Sequence, residues 1–320
     1  MNDFLTTQFC AFSAALGQDS LRVQGAGGNT SIKSGDVMWI KASGTELADA
    51  VDKPIFVAVD RNAAKAHANG AGDGSCKDTI LDPAITLRPS IETTFHAALD
   101  WAVVAHTHSI ATLTHAVSPQ GRIALDSKLE GLPFVRVPYA KPGLPLTREI
   151  MARVNGETQV IVLENHGLIC CADTVEATAA LMDDVENRLA LTVQITDTST
   201  PTQAPATGFK WDAQSWIATN PRAAALALAG SYYPDHVVFL GPALPAKDHA
   251  GTPPAIVIEG TGVLIRDDAT PSQQAMLKCL SDLLRRLPTD WSAAPIGKDA
   301  EAELLNWDAE KYRQALAVPT

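Results

Sequence analysis

Two apolar runs that each end in histidine constrain this chain more than any other feature. The first, Trp101-Ala102-Val103-Val104-Ala105, continues as His106-Thr107-His108-Ser109. This pattern predicts a strand, and positions i and i+2 of a strand leave on one face, roughly 7 Å apart. Two imidazoles so placed converge on one ion. Zinc suits them, because it takes imidazole nitrogen and a catalytic zinc keeps three protein ligands and one open position. A His-x-His pair by itself is often only a packed core or surface feature, so a third ligand is required. The second run, Val160-Ile161-Val162-Leu163 followed by Glu164-Asn165-His166-Gly167, offers one.

At 320 residues the chain exceeds one ordinary domain, which predicts a main domain with a smaller one, and a hydrophobic share of 46% supports packed cores over disorder. The formal net charge of −11 argues against nucleic acid and anionic membranes as partners, while leaving room for a local basic site for phosphate. The start Met1-Asn2-Asp3-Phe4-Leu5 lacks the basic and apolar pattern of a signal peptide, and no run approaches a membrane span. The cysteines Cys10, Cys76, Cys170, Cys171 and Cys279 are scattered without CxxC spacing, so a reduced, cytoplasmic compartment is expected.

In chain order, Leu5, Phe9, Phe12 and Leu16 predict a first helix that stops at Gly17. Gly25-Ala26-Gly27-Gly28-Asn29-Thr30-Ser31 follows, then a strand at Val37–Lys41 and Ser43-Gly44-Thr45. Thr30 stands where a dinucleotide fingerprint needs its last glycine. Two such loops could cradle an anion on their backbone N–H groups, although tight hairpin turns are the simpler reading of the spacing alone. A strand at Ile55–Val59 leads to a helix capped by Asp60, and 68–78 reads as a surface loop. Ser90 is read as the N-cap of a helix with Ile91, Phe95 and Leu99 on its buried stripe and His96 in the core. Glu92, in its first turn, becomes a candidate general base because the His-x-His strand follows directly.

Beyond that strand, a helix through Ile110, Leu113 and Val117 ends at Pro119, with His115 packed or exposed on it. A strand at Phe134–Val137 and a turn-rich Pro138–Gly143 follow, and Thr147 is read as the cap of a helix through Ile150, Met151 and Val154. Then come a return strand Leu168–Cys171, with Cys170 and Cys171 buried and inert, and a long helix over 173–195. The stretch 196–208 is rich in threonine and proline and reads as a linker. After it the pattern predicts a helix at 223–229, strands at Val237–Leu240, Ala255–Ile258 and Val263–Ile265, a helix through Met276, Leu280, Leu283 and Leu287, and a last helix over 298–317. No catalytic constellation is read there, and His236 and His249 are taken as structural or exposed.

The ordered set Gly28–Ser31 (GGNTS), Lys41–Gly44 (KASG), Arg88–Glu92 (RPSIE), His106–His108 (HTH) and Asn165–Gly167 (NHG) resembles the class II aldolase/adducin family. The wording is most similar to the aldolase half of the bifunctional rhamnulose-phosphate aldolase/dehydrogenase proteins. The stretch after residue 209 is too short for a dehydrogenase half. The resemblance implies His106, His108 and His166 as zinc ligands, with Mn²⁺ or Co²⁺ as alternatives. It implies Glu92 as the catalytic acid/base, and Gly28, Asn29, Ser43, Gly44 and Ser90 as the holders of a substrate phosphate. Ile91 departs from the pattern, since simple aldolases of the family carry a second serine there. The proton-donating tyrosine of those enzymes has no motif here, and Tyr139 and Tyr312 are candidates only.

The expected architecture is α/β: a catalytic domain (1–196) of three layers around a largely antiparallel sheet, a linker (197–209), and a small α/β C-terminal domain (210–320) of unassigned role. The resemblance implies a zinc-dependent aldolase that cleaves a ketose or ketose phosphate through a metal-stabilised enediolate. Alternatives are a sugar-phosphate epimerase, decarboxylase or dehydratase using the same site, or a non-catalytic adducin-like binding protein. Partners are then a sugar or sugar phosphate and other copies of the chain, as a tetramer, with no nucleic acid and no membrane.

Overall fold

The computed structural model describes residues 5–198, 200–246 and 252–316. Its main sheet has seven strands: β1 (Asn29–Ser34), β2 (Val37–Lys41), β3 (Phe56–Asp60), β4 (Val103–Thr107), β5 (Phe134–Val137), β6 (Val160–Leu163) and β7 (Gly167–Ala172), in the order β3-β2-β1-β4-β7-β6-β5. Every pairing is antiparallel except β5 with β6. The strands β4 and β6 are buried at every residue, which is why both read as unbroken apolar runs rather than alternating ones.

Helices cover both faces. On one side α1 (Thr7–Gln18) and α7 (Val175–Leu189) pack Phe9, Leu16, Met182 and Val185 against Val103, Ala105, Val160 and Cys170. On the other, α3 (Thr93–Ala98) and α6 (Leu144–Met151) pack Phe95, Leu146 and Ile150 against Val104, Ile161 and Cys171. The adjacent cysteines therefore point to opposite faces as the pleat requires. Both are free thiols pushed up by burial, Cys171 to about 12.

The later region has a three-stranded antiparallel sheet of β8 (Phe209–Trp211), β10 (Gly262–Arg266) and β9 (Ala255–Ile258), in that order. Around it lie α9 (Pro221–Ala229), α10 (Pro234–Leu240), α11 (Pro271–Arg286), α12 (Lys298–Leu305) and α13 (Asp308–Leu316). The core of this region includes Ile110, Leu113 and Val117, carried by α4 (Ile110–Ala116) and its C-cap, so α4 has apolar partners there as well as on the main sheet. Among the described residues no helix is long and apolar enough to cross a membrane.

Four sequence expectations are corrected. Val237–Leu240 is helical, as the end of α10, in which all seven residues are buried; a run of four apolar residues buried all round shows no period to separate it from a buried strand. The last helix is two, α12 and α13, parted at Asn306 and Trp307. Ser90 does not cap α3, whose N-cap is Glu92. Thr147 lies inside α6, which starts at Leu144 behind Gly143 at φ 87°. His249 lies outside the described residues.

Lys33 on β1 is buried, and its ammonium donates to Trp101 O at 2.7 Å. Burial, helped by Arg61, pulls its pKa down to about 7. Between that value and the unfolded value of about 10.4 the unfolded chain holds a proton the folded chain lacks, so this lysine makes stability rise with pH by up to about 1.4 kcal/mol per unit. Lys33→Met removes that slope. Denaturant titrations of parent and variant at pH 7 and pH 9 should show their stability difference changing by about 1 kcal/mol or more. A constant difference would mean that Lys33 stays charged in the fold.

Candidate metal centre

His106 sits one residue from the end of β4, facing Asn29 of β1 on one side and Ile169 of β7 on the other. Its Nδ1–H donates to Leu168 O at 3.0 Å, which fixes the tautomer and leaves the Nε2 lone pair free. His108 lies just past the strand, and His166 lies in the turn between β6 and β7, where Asn165 takes φ 54°. Asparagine tolerates this left-handed conformation better than most residues. The three rings gather with centroids 4.9 to 5.3 Å apart, and one ligand nitrogen from each lies within 4.8 Å of the others.

Glu92 completes the group. Its two carboxylate oxygens lie 3.5 Å from His106 Nε2 and 3.5 Å from His166 Nε2. Burial alone would raise its pKa, but the imidazoles of His106 and His166 and a hydrogen bond from Asn29 Nδ2 (2.8 Å) outweigh that and leave it lowered. His108 and His166 are both pulled down to about 3, mainly by burial. Three imidazoles with their free nitrogens turned on one another fit a divalent cation. Among the described residues His106 Nε2 and one oxygen of Glu92 are buried without a hydrogen-bond partner, a costly state that a bound cation would remove.

The other named residues line the same pocket: Gly28, Asn29, Ser43, Gly44 and Ser90, together with Ile91. Gly28 has φ 59°, and a side chain there would meet His106 O at 2.8 Å, so the loop approaches β4 only as glycine. Ser90 Oγ accepts from Asn29 Nδ2 and from the Glu92 N–H, both at 3.2 Å, and so holds the pair in place of capping a helix. His96, fully buried and kept neutral by that burial, shares a short hydrogen bond with Asn29 Oδ1 and another, at 2.7 Å, with Ser31 Oγ. It orients Asn29 toward Glu92. Neither Tyr139 nor Tyr312 lines this pocket; Tyr312 stacks under the Arg88 guanidinium, 3.8 Å from its ring centre.

Sequence reasoning missed three charged residues of the pocket wall. Lys41, inside the KASG motif, is buried, donates to Ala26 O (2.9 Å) and Thr45 O (2.5 Å), and is pulled down to about 7, chiefly by burial. Asp235 and Arg313 come from α10 and α13. The signal for Asp235 was present: one carboxylate, followed by His236, in the otherwise aromatic, aliphatic and proline stretch Tyr232 to Leu240. Arg313 carried none.

Residues 7–193 match the profile described as "Class II Aldolase and Adducin N-terminal domain". A Bacillus subtilis protein described as "Uncharacterized oxidoreductase YuxG" is 32% identical over 180 residues, which are 51% of this chain and 26% of that protein. The match thus spans about a quarter of the relative's length. The N-terminal class II aldolase domain of a conserved Thermoplasma acidophilum protein superposes with a TM-score of 0.51 at 27% identity, over 56% of this chain and 89% of that one. An aldolase II superfamily protein from Pseudomonas syringae gives 0.44 at 19% identity, over 58% of this chain and 72% of that one.

Proposed function

The chain belongs to the class II aldolase/adducin family, and from that membership and the chemistry of the pocket we propose a zinc-dependent aldehyde-lyase that cleaves a ketose or ketose phosphate. The observation that carries this reading is the meeting of three imidazoles with one buried carboxylate. His106, His108 and His166 would hold the cation. When bound there it would supply Lewis-acid stabilisation of the negative charge that collects on the ketone fragment when the carbon–carbon bond breaks, worth several kcal/mol.

The remaining work falls to the chain's own groups. As the bond next to the carbonyl unit breaks, the hydroxyl on the departing carbon gives its proton to water and becomes the aldehyde carbonyl. The bond's electron pair stays on the ketone fragment, and Glu92 takes up a proton from water in turn. Glu92, protonated at that stage, returns a proton to the fragment's carbon; in the synthetic direction its carboxylate removes it. Asn29 donates to Glu92 and steadies it for both roles. The backbone of Gly28 and Gly44, the Ser43 and Ser90 hydroxyls and the Lys41 ammonium form one polar wall suited to the anionic end of a substrate.

Ile91 puts an aliphatic side chain into that wall, one hydroxyl fewer than the simple aldolases this chain resembles. That observation keeps a second reading in play: an epimerase, decarboxylase or dehydratase using the same carboxylate. One assay separates them. Purified, metal-analysed protein is incubated with a panel of ketose phosphates and ketoses, and released aldehyde is trapped. Aldehyde release that a chelator stops is the expected result. Protein that neither contains nor takes up zinc, or that yields inverted sugar or carbon dioxide without aldehyde, sinks the aldolase reading.

A further inference from the structure

A histidine that binds a metal through one ring nitrogen is steadied when the other donates to a carbonyl or carboxylate, and the loss of that partner typically weakens metal binding about 10- to 100-fold. His106 has Leu168 O for this purpose. His108 Nδ1 faces Asp235 Oδ2 at 3.4 Å, a residue outside the segment that matches the family. We propose that Asp235 is the positioning residue of His108 and that Arg313 holds it there, so that the region after residue 193 completes the metal centre. The inference rests on the metal-site reading above.

Four observations support it. Asp235 is 2% exposed, and Arg313 grips it from α13 through two bonds of 2.8 and 3.2 Å. Arg313 Nη1 also reaches Glu310 Oε2 at 2.9 Å, so the clamp is itself braced within its helix. The glycine-rich loop makes room for the contact: a side chain on Gly27 would fall 2.8 Å from His108 Nδ1 and 3.1 Å from Asp235 Oδ2. The turn that carries His166 is tied to the same region, because Asn165 Nδ2 donates to Tyr232 O (3.1 Å) and Ala294 O (2.8 Å). Burying an ion pair is a weak source of stability by itself. Turned toward a proposed ligand imidazole, the Asp235–Arg313 pair has a chemical use: a carboxylate oxygen 3.4 Å from His108 Nδ1 favours the tautomer protonated there, which leaves Nε2 for the cation.

The test measures metal affinity of the full chain, without reference to turnover. Asp235→Asn keeps the shape and removes the charge. In chelator competition with zinc it should bind about 10- to 100-fold more weakly than the parent, and the visible bands of the cobalt-substituted protein should shift, while circular dichroism shows the metal-free form still folded. A folded Asp235→Asn protein with the parent's affinity and cobalt spectrum overturns the proposal. Should that variant fail to fold, Arg313→Gln leaves the carboxylate in place but unclamped. A several-fold loss of zinc affinity supports the proposal, and parental affinity overturns it. A parent that takes up no zinc would instead defeat the metal-site reading, so the two failures are distinct.

Discussion

Replacing Glu92 with glutamine is expected to lower the rate of carbon–carbon cleavage about 10²- to 10⁴-fold while the zinc content stays at the parent's level. Glutamine fills the same space, and its carbonyl oxygen can keep the bond from Asn29 Nδ2, now 2.8 Å long. What is lost is the ability to carry a proton, together with the negative charge that lies 3.5 Å from the nitrogens of both His106 and His166. The loss should therefore appear in kcat, with KM little changed, since substrate contacts on the Gly28, Ser43 and Gly44 wall remain. Single-turnover trapping of the aldehyde together with metal analysis gives both quantities. A variant that cleaves at the parental rate would remove Glu92 from the chemistry.

The second large effect is on the metal itself. His106→Ala deletes the proposed ligand whose orientation is most firmly set, by its bond to Leu168 O and by the edge-on Phe95 ring 6.0 Å away. Losing a directly bound imidazole should exceed the roughly 10- to 100-fold cost of losing an outer partner, so zinc affinity should fall by more than about 100-fold. The same loss has a thermodynamic signature. Zinc at a hundredfold excess over its Kd stabilises the parent by about 2.7 kcal/mol, seen as a rise in melting temperature. The variant should show no such rise over the same concentrations. An undiminished zinc-induced shift in His106→Ala would place the cation elsewhere.

The strands β4 and β6 were readable because they are buried on both faces and so spell unbroken apolar runs, and the first helix because its stripe repeats at helical spacing. The strand β1, which begins inside the stretch read as a glycine-rich loop, and the helix at Pro119–Lys128 were not read. The metal-site candidates were readable for a related reason. His106, His108, His166 and Glu92 stand beside strand ends and turns, where the local pattern already says which way a side chain leaves the backbone. Helix boundaries at Ser90 and Thr147 were misplaced, because a hydroxyl that caps a helix and one that holds a neighbouring side chain look alike in sequence.

By itself, then, the amino-acid order determined the layered sheet, the three imidazoles and the carboxylate near them. Tertiary structure alone decided that α10 is a helix, that Asp235 on it turns toward His108, and that Arg313 crosses 78 positions of sequence to hold it. Periodicity reports only whether a residue faces a core. It carries no information about which distant charge will share that core, because such a pairing is fixed by how whole elements pack and by the electrostatic demand that a buried carboxylate meet a partner.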